Sequence, residues 1–156
     1  PREEYVARKF GARGKGVNER VVMTGRQVGI EFAYDKMKVQ PNTLNTHRLM
    51  LFAERMGKQD ALAEELFRAH FTEGAVLAEA GTLADIAARA GLDRKAVADY
   101  LASDEDHTAV KQADMEARNA GIGGVPFFIF NRSIGVSGAQ NPETLLGAME
   151  QALQES

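Results

Sequence analysis

The 156 residues carry 19 Lys and Arg against 22 Asp and Glu, a formal net charge of −3, with 44% hydrophobic residues and a sequence pI near 5.7. That size and composition suit one globular domain with a sizeable core, and the acidic balance argues against general nucleic-acid affinity, which needs clustered positive charge. No apolar run is long enough for a membrane-spanning helix, and the absence of cysteine excludes a disulfide, a thiolate nucleophile or a thiolate metal site within these residues.

The chain opens on polar Pro1-Arg2-Glu3-Glu4, which is no signal peptide. By default a cytoplasmic location is expected, and the missing initial Met suggests a processed or trimmed piece. Residues 1–26 hold seven Lys and Arg against three Glu, a local excess of positive charge that reads first as a solvated helix surface. Tyr5, Val6, Lys9 and Phe10 recur at helical spacing and predict a helix over 2–10. Gly11 to Gly16, with three glycines, predicts a turn. A second helix is predicted over 18–28, capped by Asn18. Residues 29–40 have no clear period.

Pro41 precedes a helix cap at Asn42 or Asn45. Leu49, Phe52, Ala53 and Met56 predict an amphipathic helix over 43–57, closed by Gly57. Leu62, Ala63, Leu66, Phe67 and His70 predict another over 60–73, ended by Gly74. Thr82 and Asp85 resemble a capping box for a helix to Ala90. Asp93 caps the next, to about Leu101, and Ser103 with Asp106 repeats the pattern for a helix reaching Ala120.

After Gly121-Ile122-Gly123-Gly124 the period changes. Val125-Pro126-Phe127-Phe128-Ile129-Phe130 is dense in branched and aromatic residues, as in a strand buried on both faces. Asn131-Arg132-Ser133 predicts a tight turn, and Ile134 with Val136 a second, antiparallel strand. Asn141 caps a last helix with Pro142 at its first position, and Leu145, Leu146, Met149 and Leu153 are expected to face inward. A lone hairpin is barely stable, so further strands are expected from outside these residues.

Gly124-Val125-Pro126-Phe127-Phe128-Ile129-Phe130-Asn131, followed by Gly135-Val136-Ser137-Gly138-Ala139-Gln140, resembles the C-terminal half of DsbA-like thioredoxin-fold proteins. It is most similar to the FrnE-type, or 2-hydroxychromene-2-carboxylate isomerase-like, branch. Asn42 to Leu49 and Leu66 to Gly74 resemble that branch's helical insertion. The resemblance implies an α/β, thioredoxin-like fold with a large all-helical insertion. Residues 1–120 would form mainly the insertion, and 121–156 the C-terminal β-β-α part. The family's N-terminal β-α-β unit, with its Cys-x-x-Cys, has no match here, and truncation is the expected reason.

Thiol–disulfide exchange on a disulfide- or thiol-containing protein or small molecule is the implied function of the parent protein. Val125-Pro126 would be cis, with Gly124 leaving room, Val125 pairing with the substrate backbone and Pro126 fixing the shape. His47 would line the cleft. No residue of this chain is catalytic, and no metal, cofactor, nucleic-acid or membrane partner is implied. The open sheet edge predicts a homodimer or an exchange of segments. Glutathione-dependent isomerisation is the alternative within the superfamily. It is weakened because Ala139-Gln140-Asn141-Pro142 stands where such relatives carry an Asp-Arg pair. Thr82 to Leu101 offers an alternative of another class, a helix-turn-helix for DNA, although Asp85, Asp93 and Asp99 would repel the duplex. A cysteine-free binding module is a further alternative. The three histidines, His47, His70 and His107, lack metal-ligand spacing, and His70 is expected in a core or pocket.

Overall fold

A computed structural model of the chain describes residues 1–11 and 14–155. Those residues divide into two compact units, Pro1–Val110 and Lys111–Ser156, and the boundary falls inside a helix.

The first unit begins with α1 (Arg2–Phe10) and α2 (Gly14–Gln27). Ala12 and Arg13, in the predicted turn, lie outside the described residues. Asn18 does not cap α2, which starts four residues earlier. Its side-chain oxygen instead accepts a hydrogen bond from Arg2 Nη2 at 3.1 Å. Then follow α3 (Leu44–Arg55), α4 (Gln59–Arg68), a π-helical turn (Ala69–Glu73), α5 (Ala80–Arg89), α6 (Arg94–Ala102) and the start of α7 (His107–Asn119). Leu49, Leu62, Leu83 and Val97, one from each of α3 to α6, are the largest fully buried side chains. They mark one dry core shared by four helices, which is what apolar stripes at helical spacing require.

Several helix starts differ from the sequence expectation. Asn42 Oδ1 accepts from Leu44 N at 3.0 Å, whereas Asn45 lies inside α3. The helix predicted from Thr82 starts at Ala80, and Thr82 donates back to Glu79 at 3.4 Å. Asp93 caps α6 as expected, accepting from Ala96 N at 2.7 Å. Met56 and Phe67, assigned to inward stripes, are exposed.

Residues 29–43 form an irregular connector between α2 and α3, held by aromatic contacts rather than by a period. Phe32 stacks on Tyr34 (centroids 5.4 Å apart) and meets Phe71 edge-on at 5.8 Å. Ala33 N donates to Phe71 O at 2.8 Å. Gly74 ends the π-turn with φ 78°, and a Cβ there would sit 2.5 Å from Lys36 Cβ. Only glycine meets both the left-handed backbone and the close approach. Across the turn, Arg89 bridges Glu65 at 2.8 Å and Glu73 at 3.1 Å.

The second unit holds the rest of α7, strands β1 (Phe127–Phe130) and β2 (Ile134–Ser137), and α8 (Pro142–Gln154). The strands pair antiparallel, Phe127 with Ser137 through Phe130 with Ile134. Asn131 (φ 48°) and Arg132 (φ 60°) close the hairpin, and Ser133 N bonds Phe130 O at 3.1 Å. Positive φ at both central residues matches the twist of the strands. Asn141 caps α8, accepting from Thr144 N at 2.8 Å, with Pro142 first in the helix. The helix packs on both strands through half-buried Leu145 and Ala148 and through Ala152, 2% exposed. Leu146, Met149 and Leu153 do not face inward. They form an exposed apolar row.

Candidate functional site

The site expected from the sequence is the segment leading into β1. Gly121 has φ 82° and ends the approach from α7. Gly123, Gly124, Val125 and Pro126 are all exposed, and Val125 reaches 91%. The Val125–Pro126 peptide bond is cis. A Cβ added at Gly123 or Gly124 would meet no described atom within 4 Å, so nothing in this chain demands glycine there.

Pro126 O accepts from Gly138 N at 2.9 Å, and at the other end of the strand Phe130 O accepts from Ser133 N. Both bonds run toward β2. Main-chain groups alternate along a strand, so Phe128 and Phe130 direct theirs at β2, while Phe127 and Ile129 direct theirs at the opposite edge. No described residue pairs with that edge. The expected strand over 125–130 is therefore shorter, and its run of apolar residues is half-exposed: Ile129 projects into solvent. The segment thus presents a strand edge that can accept another extended chain by main-chain hydrogen bonding. It has no acid, base or nucleophile of its own.

His47 lies in the first unit, exposed on the first turn of α3. The residue beside it is the informative one. Arg48 is buried, with its guanidinium over the Tyr100 ring at 5.1 Å. Tyr100 hydroxyl lies 2.7 Å from Asp106 Oδ2, which also takes Arg55 Nη1 at 2.8 Å. Burial, and then the Asp106 hydrogen bond, push the Tyr100 hydroxyl up to about 12. The Tyr100 hydroxyl, then Arg55, hold the Asp106 carboxyl below its ordinary range. Sequence reading passed over this cluster because its members are 48, 55, 100 and 106. The one available signal was an arginine placed on the inward face of a helix.

His70 sits half-buried in the π-turn, with Nδ1 3.2 Å from Ala75 O and its ring against Phe71 at 4.9 Å. In the helix-turn-helix segment, Arg94 is tied to Asp85 and Lys95 to Asp99, each at 2.6 Å. The two cations a recognition helix would need are thus ion-paired. Among the described residues no helix is long and apolar enough to cross a membrane, and no group of three or more His, Cys, Asp or Glu could hold a metal ion.

A family model described as the DSBA-like thioredoxin domain matches residues 2–150. The crystal structure of a probable DsbA oxidoreductase from Streptomyces coelicolor superimposes with a TM-score of 0.84 at 27% sequence identity. The match covers 97% of this chain and 66% of that one, so a third of that protein has no counterpart here. No curated protein sequence matches the chain.

Proposed function

The chain belongs to the DSBA-like thioredoxin domain family and has its α/β fold, mostly helical with a small sheet, and we propose that it is the substrate-binding part of a thiol–disulfide oxidoreductase. The observation that carries this reading is the exposed Gly124-Val125-Pro126 segment that leads into β1, with Val125 91% exposed and no described residue paired with it. An extended peptide laid there gains main-chain hydrogen bonds at Val125. Gly124 keeps side-chain bulk away from it, and Pro126, bonded to Gly138, fixes the segment to β2. The substrate is a thiol- or disulfide-containing protein or small molecule. Within the family we assign the chain to the FrnE-type branch, on the stretches 42–49, 66–74 and 124–140.

Without cysteine, these residues form no thiolate. On this reading, a thiolate from outside the 156 residues attacks the substrate disulfide. One sulfur of the substrate leaves as thiolate and a mixed disulfide forms. A second thiolate then resolves it, releasing the reduced substrate and leaving the cysteine pair oxidised.

Two measurements test the proposal. Titrating the chain with an extended peptide bearing an alkylated cysteine should shift the amide resonances of Val125, Phe127 and Ile129. Shifts confined to the helices of the first unit would refute edge binding. Intact mass and insulin-disulfide turnover of the natural gene product should reveal a cysteine pair and catalysis. A product with no cysteine would refute the redox assignment and leave a binding module.

A further inference from the structure

Beyond that reading, we infer that residues Ser103–Asp106, the elbow between α6 and α7, form a hinge locked by side chains of α3. The turns after α3 and α5 are closed at a glycine by backbone alone. Gly57 and Gly91 take positive φ, and their amides bond Glu54 O and Ala88 O at 3.0 Å each. The elbow contains no glycine, and Asp106 holds φ 58°, a conformation unfavourable for an L-residue.

The elbow's own bonds are those of Ser103 N and Oγ to Tyr100 O at 3.1 and 2.7 Å, Glu105 N to Ser103 Oγ at 3.2 Å and His107 N to Asp104 O at 3.2 Å, and Arg48 adds a second set from α3. It is the one buried charged side chain among the described residues, 2% exposed. Its Nε donates to Glu105 O at 2.8 Å, and Nη2 to Ser103 O at 2.7 Å and Tyr100 O at 3.1 Å. Nη1 donates to Asn45 Oδ1 at 2.9 Å and reaches Leu101 O at 3.5 Å. Four of these five acceptors are carbonyls of the last turn of α6 and the elbow. A helix end leaves such carbonyls without intrahelical partners and concentrates partial negative charge on them. α6 has no basic residue in its own last turn. The cation is delivered from another helix, and Asn45 fixes its plane.

Two turns further along α3, Arg55 grips the outer side of the elbow through Asp106 at 2.8 Å and Glu105 at 3.0 Å. Tyr100 lies between the two arginines. α7, which leaves from the elbow, has no buried residue. No core contact therefore restrains its start, and side-chain hydrogen bonds do. Groups held that way open locally without unfolding the core.

Hydrogen exchange of the full chain tests this. In Arg48→Met, the amides of Ser103, His107 and Val110, which bond Tyr100 O, Asp104 O and Asp106 O, should exchange at least about tenfold faster. Those of Leu62 and Leu83 should keep their rates. Should Arg48→Met fail to fold, Arg55→Met at the exposed outer grip gives the same readout, with His107 and Val110 accelerated alone. Tyr100→Phe, which keeps the ring contact with Phe52, should act likewise. Uniform acceleration across all amides, or no change at the elbow in the variants that fold, would overturn the hinge.

Discussion

The two units solve the same problem with different success. In Pro1–Val110, four helices turn their apolar stripes toward one another and bury most of each, Met56 and Phe67 excepted. Among the described residues of Lys111–Ser156, only Ala152 is buried. Yet α8 is as regular as α3 and better capped, since its Asn141 side chain accepts a hydrogen bond and Thr43, ahead of α3, makes none. The apolar residues of α8 span an arc wider than the hairpin can cover: Leu145, Ala148 and Ala152 take the covered half, and Leu146, Met149 and Leu153 the open half. An amphipathic pattern thus specifies that a face is apolar. Whether the face is buried depends on the area its neighbours offer.

The comparison is sharpened most by deleting the same side chain on each side of it. Leu83→Ala should cost about 2–5 kcal/mol, because the surrounding helices cannot collapse into the space vacated. Leu153→Ala, at a residue 76% exposed, should fall within about 0.5 kcal/mol of the parent. Urea unfolding followed by circular dichroism reads both. A large loss from Leu153→Ala would mean that something covers α8 in solution, and the contrast between the units would fail.

A smaller expected effect concerns pH and belongs to the first unit alone. The Asp106 carboxyl is held below its ordinary value of 3.8 by the Tyr100 hydroxyl and then by Arg55. A depressed folded value stabilises above the unfolded value, and that contribution is lost as pH falls through the folded one. Asp106→Asn should therefore flatten the acid limb of the stability curve and leave its neutral plateau lower. Tyr100 has the opposite sign. With its value raised from 10.0 to about 12, its contribution is complete below 10.0 and lost as pH rises through about 12. An ultraviolet difference titration should therefore show a tyrosine step at about 12, and Tyr100→Phe should remove it.

Local chemistry was legible in the sequence where it acts alone. Asp93 and Asn141 cap because each needs only the amide three residues ahead. The hairpin turn was legible for the same reason, whereas the cis Val125-Pro126 bond was expected only through the family resemblance of residues 124–140. What escaped were features set by distant partners. Residues 29–43 have no period because Phe32, Tyr34 and Phe71 hold them through ring contacts. Arg48 is marked only by falling on the inward face of α3, since nothing within its own turn shows that four of its five acceptors are carbonyls of residues 100–105. His47 was expected in the cleft because it lies in a stretch that resembles the family's insertion; it is exposed on the first turn of α3, beside buried Arg48. The outward row of α8 was misassigned because the sequence records which side chains are apolar and not how much surface the hairpin presents to them.

The smallest expected effect is the closest comparison of the two units, because the motif is the same in both. Asp93 accepts from Ala96 N at 2.7 Å and Asn141 from Thr144 N at 2.8 Å. Replacing either by Ala removes one cap and should cost about 1 kcal/mol of helix stability. α6 contributes Val97, Tyr100 and Leu101 to the buried core. Loss of its cap should therefore appear as a lower unfolding midpoint for the whole first unit. α8 buries only Ala152, which is not part of that core. Loss of its cap should instead speed amide exchange in the first turn, residues 142–145, and leave that midpoint in place. Equal midpoint shifts from Asp93→Ala and Asn141→Ala would show that the two units unfold as one cooperative body.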